Sequence, residues 1–103
     1  KVAVRTSRTL VFYLMVANPN ATDCYLQMFD LASASVTLGT TVADRVFLVP
    51  GASTATTNDG GITQEFAVPM QFNNAMTIAA TTTATGSTAP GSSLTITLEY
   101  IAG

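Results

Sequence analysis

The stretch Ser92-Ser93-Leu94-Thr95-Ile96-Thr97-Leu98-Glu99-Tyr100-Ile101 decides the fold class. Successive side chains of a strand project to opposite faces. Leu94, Ile96, Leu98 and Tyr100 therefore point one way, and Thr95, Thr97 and Glu99 the other. The pattern predicts a strand with one packed face and one wet face. Ile62 to Phe72 repeats it, with Ile62, Phe66, Val68, Met70 and Phe72 against Thr63, Glu65 and Gln71. Pro69 cannot donate to a ladder, so it predicts an edge position, a bulge or a bend.

Working outward, Thr9 to Ala17 (TLVFYLMVA) is apolar at nearly every position, more than a strand with one wet face requires, and both of its faces are expected to be covered. Cys24 to Leu31 reads the same way. Shorter strands are expected at Val2 to Thr6, Val36 to Leu38, Arg45 to Val49 and Met76 to Ala80, about six to eight strands in all. Asn18-Pro19-Asn20, Leu38-Gly39-Thr40-Thr41, Val49-Pro50-Gly51 and Asn58-Asp59-Gly60-Gly61 separate these runs with residues suited to reversals. Ala52 to Asn58 and Thr81 to Ser92, uncharged and low in complexity, read as surface loops. Thr, Val and Ile favour the pleated sheet over the helix, and no helical crossover is available. The prediction is an all-β, two-layer antiparallel sandwich of jelly-roll or immunoglobulin-like type, one domain over 1–103. Trp is absent and Cys24 is alone, so the immunoglobulin signature of paired Cys around Trp is missing. The expected core includes Phe66, Val68, Phe72, Leu94, Ile96 and Leu98.

Charged residues make up 10% of the 103, well below the roughly 25% of an average domain, and 18 Thr with 7 Ser supply most of the polarity. Four basic residues against six acidic ones give no footprint for a polyanion, so no nucleic-acid partner is expected. The longest apolar run, Leu10 to Ala17, is eight residues, short of the roughly 20 that carry a helix across a bilayer, and no membrane partner is expected. The first residue is not Met, which points to a processed or trimmed start.

Catalysis is not expected. Histidine is absent, which removes the usual general base at neutral pH. Asp23 and Asp30, at opposite ends of one strand, would lie roughly 23 Å apart at about 3.3 Å per residue, too far for a glycosidase pair. Asp59 fits a turn, and Glu65 and Glu99 fit wet strand faces. Cys24 has no cationic neighbour in sequence and reads as a buried, inert thiol. Asn18, Asn20 and Asp23, or Asn58 and Asp59, lack the repeated acidic spacing of a calcium loop, so no metal or other cofactor is expected. Asn20-Ala21-Thr22 matches the glycosylation sequon, a match common by chance in a Thr-rich chain. What remains is surface. The doubly apolar strand asks for a second covering layer that a neighbouring subunit can supply, which makes Leu10, Phe12, Leu14 and Val16 the candidate assembly surface.

The succession of an apolar strand, Asn18-Pro19-Asn20-Ala21-Thr22, Tyr25-Leu26-Gln27-Met28-Phe29-Asp30, Val36-Thr37-Leu38-Gly39-Thr40-Thr41, Val49-Pro50-Gly51 and Ala79-Ala80-Thr81-Thr82-Thr83-Ala84-Thr85-Gly86-Ser87 resembles the small β-sandwich head decoration, or cement, proteins of tailed bacteriophages. The resemblance spans Asn18 to about Ile101. It implies a non-enzymatic protein on the outer capsid surface of the virion, reinforcing the major capsid protein as a homo-oligomer, with a trimer favoured. The alternative is a receptor- or carbohydrate-binding module of a phage tail or fibre, for which an exposed Tyr or Phe cluster beside Asn, Asp or Gln would be the mark.

Overall fold

The computed structural model describes residues 1–54 and 57–103. Its strands are β1 (Val2–Arg5), β2 (Thr9–Ala17), β3 (Cys24–Phe29), β4 (Arg45–Val49), β5 (Gly61–Phe72), β6 (Met76–Thr81) and β7 (Thr95–Ala102), with one turn of 3-10 helix at Ser33–Ser35. They form two antiparallel sheets, β1-β6-β3-β4 and β5-β2-β7, stacked as a two-layer sandwich. Five of the six links between successive strands cross from one sheet to the other. That wrapping is the jelly-roll side of the expectation, since the immunoglobulin order keeps its first two strands in one sheet.

Between the sheets, Val11, Leu14 and Val16 of β2 meet Leu26 and Met28 of β3, Val49 of β4, Met70 and Phe72 of β5, and Met76 and Ile78 of β6. Ile62, Phe66, Leu94, Ile96 and Leu98 pack against this core from its margins. Phe47 of β4 meets Phe66 of β5 edge to face, with ring centroids 6.2 Å apart, which sets β5 over β4. At the other side Leu94 and Ile96 face Val2 of β1 and Ile78 of β6 across a cleft. Gly61 opens β5 at φ +138, with Val16 O 2.1 Å from where a Cβ would stand. Only glycine fits there.

The outer face of the four-stranded sheet is covered by the chain itself over β3 and β6, while Val46 and Leu48 of β4 stay 43% and 50% exposed. Phe29 and Ala79 are buried beneath Val36, with Leu31, Leu38 and Ala43 alongside. Gln27 Nε2 donates to Thr81 Oγ1 (2.8 Å) and Gly86 O (3.1 Å), tying the loop after β6 over β3. The expectation that β3 is covered on both faces is met. Val36 to Leu38, expected as a strand, instead serves this cover: Val36 is a 1% exposed plug, and Thr40 N and Thr41 N turn back to Thr37 O.

A second expectation fails at Val68, placed in the core by alternation but 84% exposed. The pairing of β2 with β5 shifts between Val11↔Met70 and Tyr13↔Glu65, so residues 66–69 stand out of register around Pro69 and Val68 projects into solvent. The bulge or bend expected of Pro69 is there, on an edge strand. Of the Ala52–Asn58 loop, residues 55 and 56 lie outside the described residues.

Candidate functional site

β2 is the centre of the three-stranded sheet, and its register carries a second consequence. Against β7 it runs Val11↔Tyr100 and then Tyr13↔Glu99, skipping Phe12. One extra residue in one strand reverses which parity faces the core. Before the bulge Thr9 and Val11 point inward, and after it Leu14 and Val16 do, all four between 0% and 2% exposed.

The candidate assembly surface read from sequence is therefore split. Leu14 (0% exposed) and Val16 (2%) belong to the core, while Leu10 is half-buried and Phe12 39% exposed on the outer face. The residues that join Leu10 and Phe12 there are Tyr13, Met15 (42% exposed) and Ala17. Alternation alone misses them, because a strand apolar at every position carries no periodic signal from which to locate a bulge.

Cross-strand rows define this outer face. Gln71–Leu10–Ile101, Glu65–Tyr13–Glu99 and Thr63–Met15–Thr97 each place an apolar or aromatic β2 side chain in the middle of a row. The result is an apolar ridge along β2 with a mostly polar margin on both sides, and Ile101, 53% exposed, continues it onto β7. Phe12, Tyr13 and Phe66 also border a shallow groove with Glu65 and Glu99 at its rim. The second cover expected for this strand is not supplied by any described part of the chain.

Other polar candidates serve the framework. Asn18, 2% exposed, donates from Nδ2 to Thr22 O (3.1 Å), Val49 O (3.2 Å) and Pro50 O (3.3 Å), while its Oδ1 accepts from Asn20 N (2.9 Å). Asn20 donates from Nδ2 to Ser92 O (2.8 Å) and accepts from Ser92 N (2.9 Å), so the sequon side chain is engaged in joining two loops. Asp23 accepts from Gly51 N (3.0 Å). These groups hold a corner where strands exchange sheets.

Cys24 is fully buried. Burial pushes its thiol up from the ordinary value, a side-chain hydrogen bond with Asn18 opposes this, and the Asp23 charge adds to the rise. A thiol so placed is a poor nucleophile. Asp30 accepts from Asn73 N (2.9 Å), Asn74 N (2.7 Å) and Ala75 N (3.2 Å), bracketing the β5–β6 turn to the end of β3. Burial raises its pKa, but the three N–H groups outweigh that, and the carboxyl lies below its usual range. Asp59 is held at about 2 by the Ser53 hydroxyl and backbone N–H and by Thr57 Oγ1, all of which donate to it. Among the described residues no three His, Cys, Asp or Glu side chains gather where they could hold a metal ion.

The apolar ridge of the β5-β2-β7 sheet is thus one feature that the framework leaves unused. Comparison of the chain with protein-family models, with curated proteins and with solved structures finds no match.

Proposed function

We propose that this chain is a non-enzymatic structural protein that docks through the outer face of its β5-β2-β7 sheet. In the setting implied by the resemblance, it decorates the outer surface of a phage capsid, reinforcing contacts of the major capsid protein as a homo-oligomer. The trimeric state rests on that resemblance alone. The observation that carries the reading is the ridge of Leu10, Phe12, Tyr13 and Met15, uncovered in a chain with only 10% charged residues. An exposed apolar patch with a polar rim is the usual mark of an interaction site.

A second reading, a carbohydrate-binding module, is favoured by one observation: Phe12 and Tyr13 share a groove with the carboxylates of Glu65 and Glu99. Aromatic faces stack on sugars and carboxylates accept their hydroxyls. The ridge continues past the groove to Leu10 and Met15, which favours docking over sugar recognition.

Sedimentation of the purified chain, alone and with phage heads stripped of it, separates the two. Docking through apolar contacts should persist from about 0.05 to about 1 M salt, because screening weakens mainly exposed charge pairs. Met15→Asp should weaken it by about tenfold or more, since the carboxylate must be desolvated on docking. Release at moderate salt, or a strictly monomeric chain that binds soluble glycans, would overturn the docking reading.

A further inference from the structure

We propose that the free edge of β7 takes up an extended peptide segment of another protein as a fourth strand of the β5-β2-β7 sheet. The place for it is set by the stacking of three strands on four. β5 lies over β4 through Phe47 and Phe66, and β7 faces β6 and β1, so the row β5-β2-β7 stops one strand short. The unfilled position lies beside β7 and over β1.

Side-chain exposure marks the same gap. Tyr100 pairs with the fully buried Val11 and so faces the interior, yet it is 39% exposed, and Val2 on β1 is 61% exposed. β5 is an edge strand too; its inward Met70 and Phe72 are 6% and 1% exposed, and its exposed inward residue, Gln64 opposite Leu14, is polar where Tyr100 and Val2 are aromatic and apolar. Between β7 and β1 runs a mainly apolar cleft of about 240 Å³, with Val2, Ile78, Pro90, Leu94 and Ile96 on its walls and Lys1, whose Nζ donates to Ser33 O, at its margin.

The edges differ as well. An unpaired strand edge offers a row of N–H and C=O groups, and proteins usually blunt it with proline, bulges, cations or short length. β5 carries Pro69 and the out-of-register residues 66–69. β1 has four residues with a register shift, and β4 has five and begins with Arg45. β7 has eight, Thr-Ile-Thr-Leu-Glu-Tyr-Ile-Ala, with no proline and no cation. The bulge opposite it lies on β2, so β7 runs unbroken.

The width of the gap selects the occupant. If a second copy paired its β7 here, its own β1, which also extends past its β7, would meet this chain's β1 in the lower sheet. A single extended arm has no such neighbour and fits. Its chemistry follows from β7: apolar side chains at every second position to enter the cleft over Leu94 and Ile96, and between them a lysine or arginine opposite Glu99, the one charge on the strand. This surface is distinct from the ridge, and the inference stands without the docking reading.

The test uses the full chain, isotopically labelled, and a capped eight-residue peptide of alternating valine and threonine with one lysine. A version with a central proline is the control. At saturation, alternate β7 amides should exchange about tenfold more slowly or better, with shift changes at Val2, Leu94 and Ile96. Val2→Asp, at an exposed site that leaves folding intact, should weaken binding about tenfold by placing a carboxylate in the apolar cleft. Glu99→Lys should reverse the preference toward a glutamate-bearing peptide. The inference is overturned by unchanged β7 exchange at millimolar peptide, by equal binding of the proline peptide, by protection along β5 or the ridge instead, or by a β7-paired dimer that excludes the peptide.

Discussion

Alanine substitution along β2 tests the bulge at Phe12, because the bulge dictates which residues are costly to truncate. Val11 and Leu14 are fully buried, whereas Phe12 and Met15 are 39% and 42% exposed. Leu14 lies on the central strand between Gln64 and Leu98, with the four-stranded sheet behind it. Little can collapse into the space it leaves, so Leu14→Ala should cost about 3 to 5 kcal/mol, in the upper part of the range for emptied leucine sites. Val11→Ala removes two methyl groups and should cost about 2 kcal/mol. Phe12→Ala and Met15→Ala, on the outer face, should each cost below about 1 kcal/mol. Against a total stability of about 5 to 15 kcal/mol the contrast is large. Urea denaturation of the isolated chain, read from midpoints at constant slope, resolves it. An unbulged strand would sort the costs by parity, with Val11 and Met15 expensive together and Phe12 and Leu14 cheap together. That outcome, or Met15→Ala costing more than Leu14→Ala, would refute the register.

Asn18→Asp keeps the shape but removes the Nδ2 donors from Thr22 O, Val49 O and Pro50 O, so it should cost about 3 kcal/mol in the same denaturation assay. The Asp30 carboxyl has its folded-state pKa below the unfolded value of about 3.9, so its contribution is fully present above that pH and is lost as pH falls through the folded value. Asp30→Asn should therefore destabilise the chain at pH 7 and flatten its stability profile below about pH 4, which thermal melts across pH will show. Cys24 should react with iodoacetamide at neutral pH only in denaturant, and Cys24→Ala should cost about 1 kcal/mol, as judged by mass spectrometry and urea midpoints.

The legible parts of the fold were those with one wet face. Thr95, Thr97 and Glu99 announce β7 because water on one side forces polar residues at every second position. Turn chemistry at Asn18-Pro19-Asn20 and Asn58-Asp59-Gly60-Gly61 marked the reversals for the same local reason. Misreadings arose where tertiary context replaced that signal. Val36 is apolar because it plugs the outer face of β3 over Phe29, a role that leaves the same trace as a short strand. Alternation carried through Pro69 points Val68 inward, but the backbone leaves the ladder there. Of the four residues read as the candidate surface on β2, Leu10 and Phe12 lie on the outer face while Leu14 and Val16 lie in the core, because nothing in an unbroken apolar run marks an extra residue.

The bulge also accounts for the order of residues within that run. Without it, Tyr13 and Met15 would join Val11 in the core, and a buried tyrosine hydroxyl would need a partner in a wall of Leu26, Met28 and Met76. With it, the compact Leu14 and Val16 turn inward, and Tyr13 and Met15 turn out beside Phe12. The outer ridge then combines two aromatic rings with a flexible thioether. Such side chains conform to an opposing surface at little cost in hydrogen bonds. Glu65 and Glu99 flank Tyr13 on both sides. Two like charges on one row disfavour face-to-face stacking of this sheet on its own copy in direct register, where each carboxylate would meet another. A partner or symmetry-related copy offset along the strand, contacting Leu10, Phe12 and Met15 while leaving the two carboxylates in water, avoids that repulsion. In the proposed docking, the charge pattern would select the geometry of contact and the apolar ridge would supply its strength.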